Sequence, residues 1–116
     1  MVDNHIYSGG GGGKFTKWNI DTCQPMETVQ ITNKSIRGID YSEIRNEFAI
    51  GSSDYSIYIL DGTSFEIKKK IENAHENSVF AVKYSIDGNN LMSGGRDAHL
   101  KIWDLNDDFK NISTQP

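Results

Sequence analysis

His75, Ser93 and Asp97 are the residue types from which a hydrolytic triad is made: an imidazole base, a hydroxyl nucleophile and a carboxylate to orient the base. That chemistry needs an exposed serine next to its base, with hydrogen-bond donors waiting for an oxyanion. A second candidate is the run Gly9 to Gly13 followed by Lys14, which resembles a phosphate loop. A phosphate loop requires a glycine five residues before the glycine that precedes the lysine, and Ser or Thr after the lysine. Ser8 and Phe15 stand in those two places. A strand rather than a helix is expected to follow, so no helix N-terminus is available to hold an anion. The run reads as a flexible turn between two strands. His5, His75 and His99 share no ligand spacing, so no metal site and no cofactor are expected. Cys23 is the only cysteine, which excludes an intrachain disulfide and a cysteine-based zinc site. It lies just before Pro25 in a polar connection, where partial exposure is expected and no neighbour marks the thiol as reactive.

These residues have to be held by elements, and composition limits what the elements can be. With 116 residues, 36% hydrophobic, 10% aromatic and 24% charged of both signs, the chain is a folded segment of at most one domain. A net charge of -4 argues against a broad basic surface for nucleic acid, so no nucleic-acid partner is expected. Lys68, Lys69 and Lys70 read as an exposed strand edge, where lysines discourage pairing with other chains. No apolar run approaches the length needed to cross a bilayer, and no membrane partner is expected. Met1 to His5 has no basic segment leading into an apolar stretch, so no secretory signal is expected. A cytoplasmic setting follows as the expectation, and the triplets at Asn33 and Asn111 are then accidents of composition.

The sequence repeats itself. Gly51, Asp54, Ile57, Ile59, Leu60 and Asp61 recur as Gly94, Asp97, Leu100, Ile102, Trp103 and Asp104, 43 positions later. Upstream, Ile36, Ile39, Tyr41 and Ser42 match Val79, Val82, Tyr84 and Ser85 in the same register. A weaker copy, with Gly9, Phe15, Trp18 and Asn19, precedes the middle one by 42 positions. Inside each copy the local signals are β. Val79 to Tyr84 is a β-prone run, Ser85 to Gly88 a turn, Asn90 to Gly94 a second strand, and His99 to Trp103 alternates polar and apolar residues. Phe65 to Ile71 reads as the fourth strand of the middle copy, Asn4 to Ser8 as a second strand of the first, and Phe109 to Ile112 as an outermost strand. No helix is predicted. Four short antiparallel strands per repeat of roughly 40–45 residues describe a propeller blade. The fold class is therefore all-β, a partial β-propeller of four-stranded antiparallel blades. Residues 1–31 form a partial first blade (its second to fourth strands), 32–73 a second blade, and 74–116 a third blade with a C-terminal tail.

Ala74-His75, Ser85 to Gly88, Leu91 to Asp97 and Leu100 to Asp104 together resemble a WD repeat. The resemblance implies a structural tetrad of Asp97, His75, Ser93 and Trp103, in which a buried indole and a buried imidazole satisfy one another. Under that mapping the three triad-type residues are structural and the chain is not an enzyme. The middle copy keeps Asp54 but has Thr32, Ile50 and Leu60 at the other three places, while the first keeps Ser8 and Trp18 and has Gly12 for the aspartate.

The resemblance also implies a role as a protein-protein interaction scaffold, holding another protein or peptide on loops at one face. The positions it points to are Ser35, Arg37, Ser53, Ser78, Phe80 and Arg96, with Phe80 and Arg96 as an anchor pair or, alternatively, an inter-blade contact and a solvated turn residue. Closed rings of this kind resemble assemblies of about seven blades. The expectation is a fragment of a longer propeller. The alternative is a regulatory or sensory segment that completes a ring by self-association through open blade edges, or that accompanies a separate effector domain.

Overall fold

The computed structural model describes residues 5–116, and in it the repeats become three antiparallel sheets. Strands β1 (His5–Gly9), β2 (Lys14–Asn19) and β3 (Gln24–Gln30) form the first, in that order. Strands β4 (Ile36–Ser42), β5 (Glu47–Ser52), β6 (Ile57–Asp61) and β7 (Ile67–Ile71) form the second. Strands β8 (Val79–Tyr84), β9 (Asn90–Gly95), β10 (Leu100–Asp104) and β11 (Lys110–Gln115) form the third. The fold is that of propeller blades, two of four strands and one of three. Asn4, expected in the first strand, lies outside the described residues.

Two differences from the expected elements have local causes. The fourth strand of the middle sheet begins at Ile67 rather than Phe65. The Asp61 side chain accepts the N–H groups of Thr63 and Ser64, at 2.8 and 3.0 Å, and winds the chain so that Phe65 has a φ of 62°. Phe65 is thereby buried against Phe15 and Phe48 instead of extending the strand. The expectation of no helix is corrected at one turn. Leu105–Asp107 is a 3₁₀ turn started by the Asp104 carboxylate, which accepts the Asn106 N–H at 2.9 Å, and ended by Asp108 in the left-handed region.

Alternation along β5 explains how the sheets stack. Phe48 and Ile50 face the first sheet, in a cluster with Phe15, Ile31, Ile36, Leu60 and Phe65. Ala49 faces the third sheet, in a cluster with Val79, Tyr84, Leu91 and Trp103. A strand with buried residues on both faces is the middle layer of a stack, which is why all six residues of β5 are buried. The repeated glycines serve this stacking. A Cβ on Gly9 would lie 2.2 Å from Ile36 Cγ2, and one on Gly51 would lie 2.8 Å from the Val79 carbonyl, so the next inner strand could not approach so closely.

The lysines of β7 lie on an outer edge strand, and each reaches a carboxylate. Lys68 contacts Glu47 at 2.9 Å, Lys69 contacts Asp108 at 3.1 Å, and Lys70 contacts Glu72 at 3.4 Å. Among the described residues, no helix is long and apolar enough to cross a membrane.

Candidate functional site

His75 sits in the connection between β7 and β8, Ser93 in β9, Asp97 in the turn between β9 and β10, and Trp103 in β10. The fold brings all four together. His75 Nδ1 lies 3.1 Å from both carboxylate oxygens of Asp97, and Nε2 lies 2.8 Å from Ser93 Oγ. Trp103 Nε1–H donates to the same Ser93 oxygen at 2.9 Å. Asp97 also accepts the N–H groups of Glu76 (2.9 Å) and His99 (3.0 Å), so it fastens both loops. An ionised Asp97 can only accept, which puts the imidazole proton on Nδ1. Nε2 then accepts the Ser93 hydroxyl proton.

That connectivity is a triad's, but the surroundings do not suit a nucleophile. Ser93 is 1% exposed and His75 is 0% exposed, and the indole N–H already occupies the serine oxygen. A substrate cannot reach this hydroxyl without dismantling the core. What the set can do is lock the two loops at one end of the third sheet.

Burial holds His75 below the ordinary imidazole range despite the pull of Asp97. Burial pushes Asp97 upward, yet the Glu76 and His99 amides and the His75 ring outweigh it and keep the carboxyl well below the usual range. The sign for His75 follows. Unfolded chains bind a proton near pH 6.5 that the folded chain refuses, so the contribution is complete above 6.5 and is lost progressively as pH falls below that value toward the lower range of the folded imidazole. Asp97 adds a further loss below pH 3.8, its unfolded range. Melting temperature should therefore drop between neutral pH and about pH 5, and a His75→Gln chain should show a flatter profile in that window. Equal slopes in the two proteins would exclude His75 as the group responsible.

The middle sheet uses a different set. Asp54 accepts from the Thr32 hydroxyl at 2.9 Å, from the Ser56 N–H at 3.0 Å, and from the Tyr58 hydroxyl. Ile50 and Leu60 fill the serine and tryptophan places as fully buried apolar groups. Tyr58 was not predicted from the sequence, and the signal for it was faint: a tyrosine within a strand, four residues after the turn aspartate. In the first sheet Trp18 donates to Ser8 at 2.8 Å. Ser93→Ala leaves both the indole N–H and the imidazole Nε2 of the third sheet without a partner, although Nδ1 keeps Asp97, whereas Ser8→Ala leaves one half-buried indole. The expected costs are about 2–3 kcal/mol against about 1 kcal/mol, measured by urea unfolding.

The glycine run is a closed turn. The Gly13 N–H donates to the Gly10 carbonyl at 3.1 Å, Gly13 has a φ of 79°, and a Cβ there would lie 1.9 Å from the Thr32 carbonyl oxygen. Cys23 is exposed. His99 is partly exposed, with Nδ1 3.6 Å from Asp97. Among the described residues, no group of three or more His, Cys, Asp or Glu side chains is placed to hold a metal.

The positions expected to bind a partner fall in two places. Ser35 and Ser53 exchange bonds, the Ser53 N–H donating to the Ser35 carbonyl at 2.8 Å and the Ser35 N–H to Ser53 Oγ at 3.0 Å. The Arg96 N–H donates to the Ser78 carbonyl, also at 2.8 Å, which makes the same link one sheet on. Arg37 and Arg96 are exposed beside these links. Phe80 is 51% exposed and lines a cavity of about 350 Å³ with Ala81, Met92 and Leu100 on the outward face of the third sheet. Arg96 is not part of that lining.

Residues 67–104 match the family described as "WD domain, G-beta repeat". The chain is 31% identical over 81 residues to "WD repeat-containing protein 1" of Bos taurus, covering 68% of this chain and 13% of that protein. It is 29% identical over 114 residues to "Topless-related protein 4" of Arabidopsis thaliana, covering 97% and 10%. It is 30% identical over 105 residues to "Nuclear distribution protein PAC1" of Candida tropicalis, covering 86% and 21%. The chain thus spans from about a tenth to about a fifth of the length of these relatives. With the matched repeat, the stacked four-stranded sheets and the buried His75–Ser93–Asp97–Trp103 set, the chain belongs to the WD-repeat family.

Proposed function

We propose that these blades act as a non-catalytic scaffold that holds another protein or peptide, and that they do so as part of a larger ring. The observation that carries this reading is the sealing of a triad-like set inside the third sheet, where the loops it fixes offer Ser78 and Arg96, while the same end of the middle sheet, held by Asp54, offers Ser35, Arg37 and Ser53. Loops held by a rigid sheet are where binding residues concentrate, and arginine is enriched among binding hot spots. Phe80 lies apart from this surface, on the outward face of the third sheet. Partner capture by the Arg37→Ala/Arg96→Ala chain should fall by at least about tenfold, the loss of roughly 1.4 kcal/mol, with the melting temperature unchanged. Undiminished capture by the folded variant removes the proposed face.

A second reading has its own observation. The outward face of the third sheet leaves Phe80, Met92 and Leu100 partly exposed, and the outward face of the first leaves Ile6 and Trp18 lining a cavity of about 460 Å³. Each such face is covered elsewhere in the molecule by a neighbouring sheet. Association of copies through these faces would complete a ring without further chain. Sedimentation velocity across a concentration series tests it. A Met92→Glu chain should lose any self-association that the parent shows.

A further inference from the structure

The end of the sheets opposite the His75 network carries a surface that the scaffold reading does not use. The turn between β4 and β5 presents Ile44, 69% exposed, and the turn between β8 and β9 presents Ile86, 98% exposed. The two turns touch: a Cβ on Gly88 would lie 3.3 Å from Ile44 Cγ2, and Arg45 Nη1 donates to the Gly88 carbonyl at 3.3 Å. Between them runs a groove of about 360 Å³, lined by Asp40, Tyr41 and Glu43 on one side and by Lys83, Ser85 and Ile86 on the other. The groove floor is rigid, because the Tyr84 N–H donates to the Asp40 carboxylate at 2.7 Å and so ties β8 to β4.

Two β-branched aliphatic side chains at adjacent turn tips are not needed for either turn. Asp87, with its bonds to the Ser85 hydroxyl at 2.6 Å and the Asn89 N–H at 3.0 Å, already fixes the second. The Ser42 hydroxyl, accepting the Arg45 N–H at 3.2 Å, fixes the first. The surrounding charge is acidic. Glu43 and Asp87 flank the isoleucines, and Asp107 follows in the next turn of the third sheet. Arg45 is engaged by the buried Glu47, which leaves Lys83 as the cation among the groove-lining residues.

We propose that this groove docks an extended peptide segment of a partner protein in which aliphatic residues alternate with lysine or arginine. In an extended segment, alternate side chains point to opposite sides, so aliphatic groups can enter between Ile44 and Ile86 while the long lysine or arginine side chains between them bend back over the rim to Glu43 and Asp87. Apolar contact supplies the affinity and the acidic rim selects the sign of the partner. The site lies at the other end of the strands from Arg37 and Arg96, so it stands or falls separately from the loop face.

The test is a fluorescence anisotropy titration of the full chain with a labelled peptide alternating lysine with leucine and isoleucine. Two control peptides carry glutamate in place of lysine, or serine in place of the aliphatic residues. The expected result is saturable binding of the first peptide alone, weakened at least about tenfold by Ile44→Ser/Ile86→Ser and by Glu43→Lys. The Arg37→Ala/Arg96→Ala chain should bind it unchanged. Because both isoleucines are largely exposed, the double variant should keep the parent's melting curve. Equal binding of the serine peptide would reduce the site to charge attraction and overturn the proposal. So would unchanged affinity in the folded Ile44→Ser/Ile86→Ser chain, or no binding of the first peptide.

Discussion

Phe48→Ala is expected to destabilise the chain by about 3–5 kcal/mol, the range for emptying a fully packed aromatic site. Phe48 is 2% exposed and stands at the centre of an aromatic group, its ring centroid 4.6 Å from that of Tyr7, 4.8 Å from Tyr41 and 5.0 Å from Phe15. These rings belong to the first and second sheets, so the cavity would open at the joint between them. A stacked-repeat molecule has stability terms at each joint, and a loss at one need not be felt equally at the other. Trp18 lies in the first sheet and Trp103 in the third, which gives each side of the molecule its own fluorophore. In single-tryptophan chains, Phe48→Ala should move the urea transition seen by Trp18 further than the one seen by Trp103. A shift below about 1 kcal/mol would mean that the joint contributes little.

Glu47→Ala, one residue earlier, should act on the other joint and cost about 3 kcal/mol. Glu47 is 1% exposed and accepts from Arg45 Nε at 3.1 Å, Lys68 Nζ at 2.9 Å and the Tyr84 hydroxyl at 2.9 Å. Its two cations are partly exposed and would hydrate, but the Tyr84 hydroxyl is buried and would be left without an acceptor. Burial and the adjacent carboxylate push that hydroxyl far above the ordinary phenol range, so it remains a neutral donor. The Trp103 transition should now move more than that of Trp18, the reverse of the Phe48 result. Tyr84→Phe combined with Glu47→Ala should cost less than the two single changes added, since each removes the same bond. Strict additivity would show that the two groups do not depend on one another.

The sequence carries the third sheet more openly than the others. His75, Ser93, Asp97 and Trp103 are polar or amphipathic residues at places where an apolar side chain would serve packing equally well, so their types betray a network. In the middle copy, Ile50 and Leu60 erase that signal, and Asp54 takes as partners Thr32, which stands at the place of His75, and Tyr58, whose counterpart Lys101 is no member of the third sheet's network. Most strand bounds were readable to within a residue from alternation and turn residues; the exceptions are Phe65, turned inward by an aspartate four residues earlier, and the outermost strand, which runs Lys110–Gln115 rather than Phe109 to Ile112 because Phe109 has a φ of 60°. Glu47 left no trace at all. A glutamate after a polar turn reads as a solvated residue, and its burial depends on Tyr84, which comes from the next sheet. Such contacts between repeats are where local pattern gives out.

One irregularity recurs in all three sheets. The register between the third and fourth strand of each repeat slips at Lys17/Trp18, at Ile59/Leu60 and at Ile102/Trp103. A bulge of this kind breaks the even row of backbone donors and acceptors along the outermost strand and twists it away from a flat template. Pro25, paired with Trp18 just past the first slip, removes one donor more from β3. The rims of the blades are thus poor seeds for the continuous ladders from which amyloid fibres grow, and any stickiness of this chain resides in its faces.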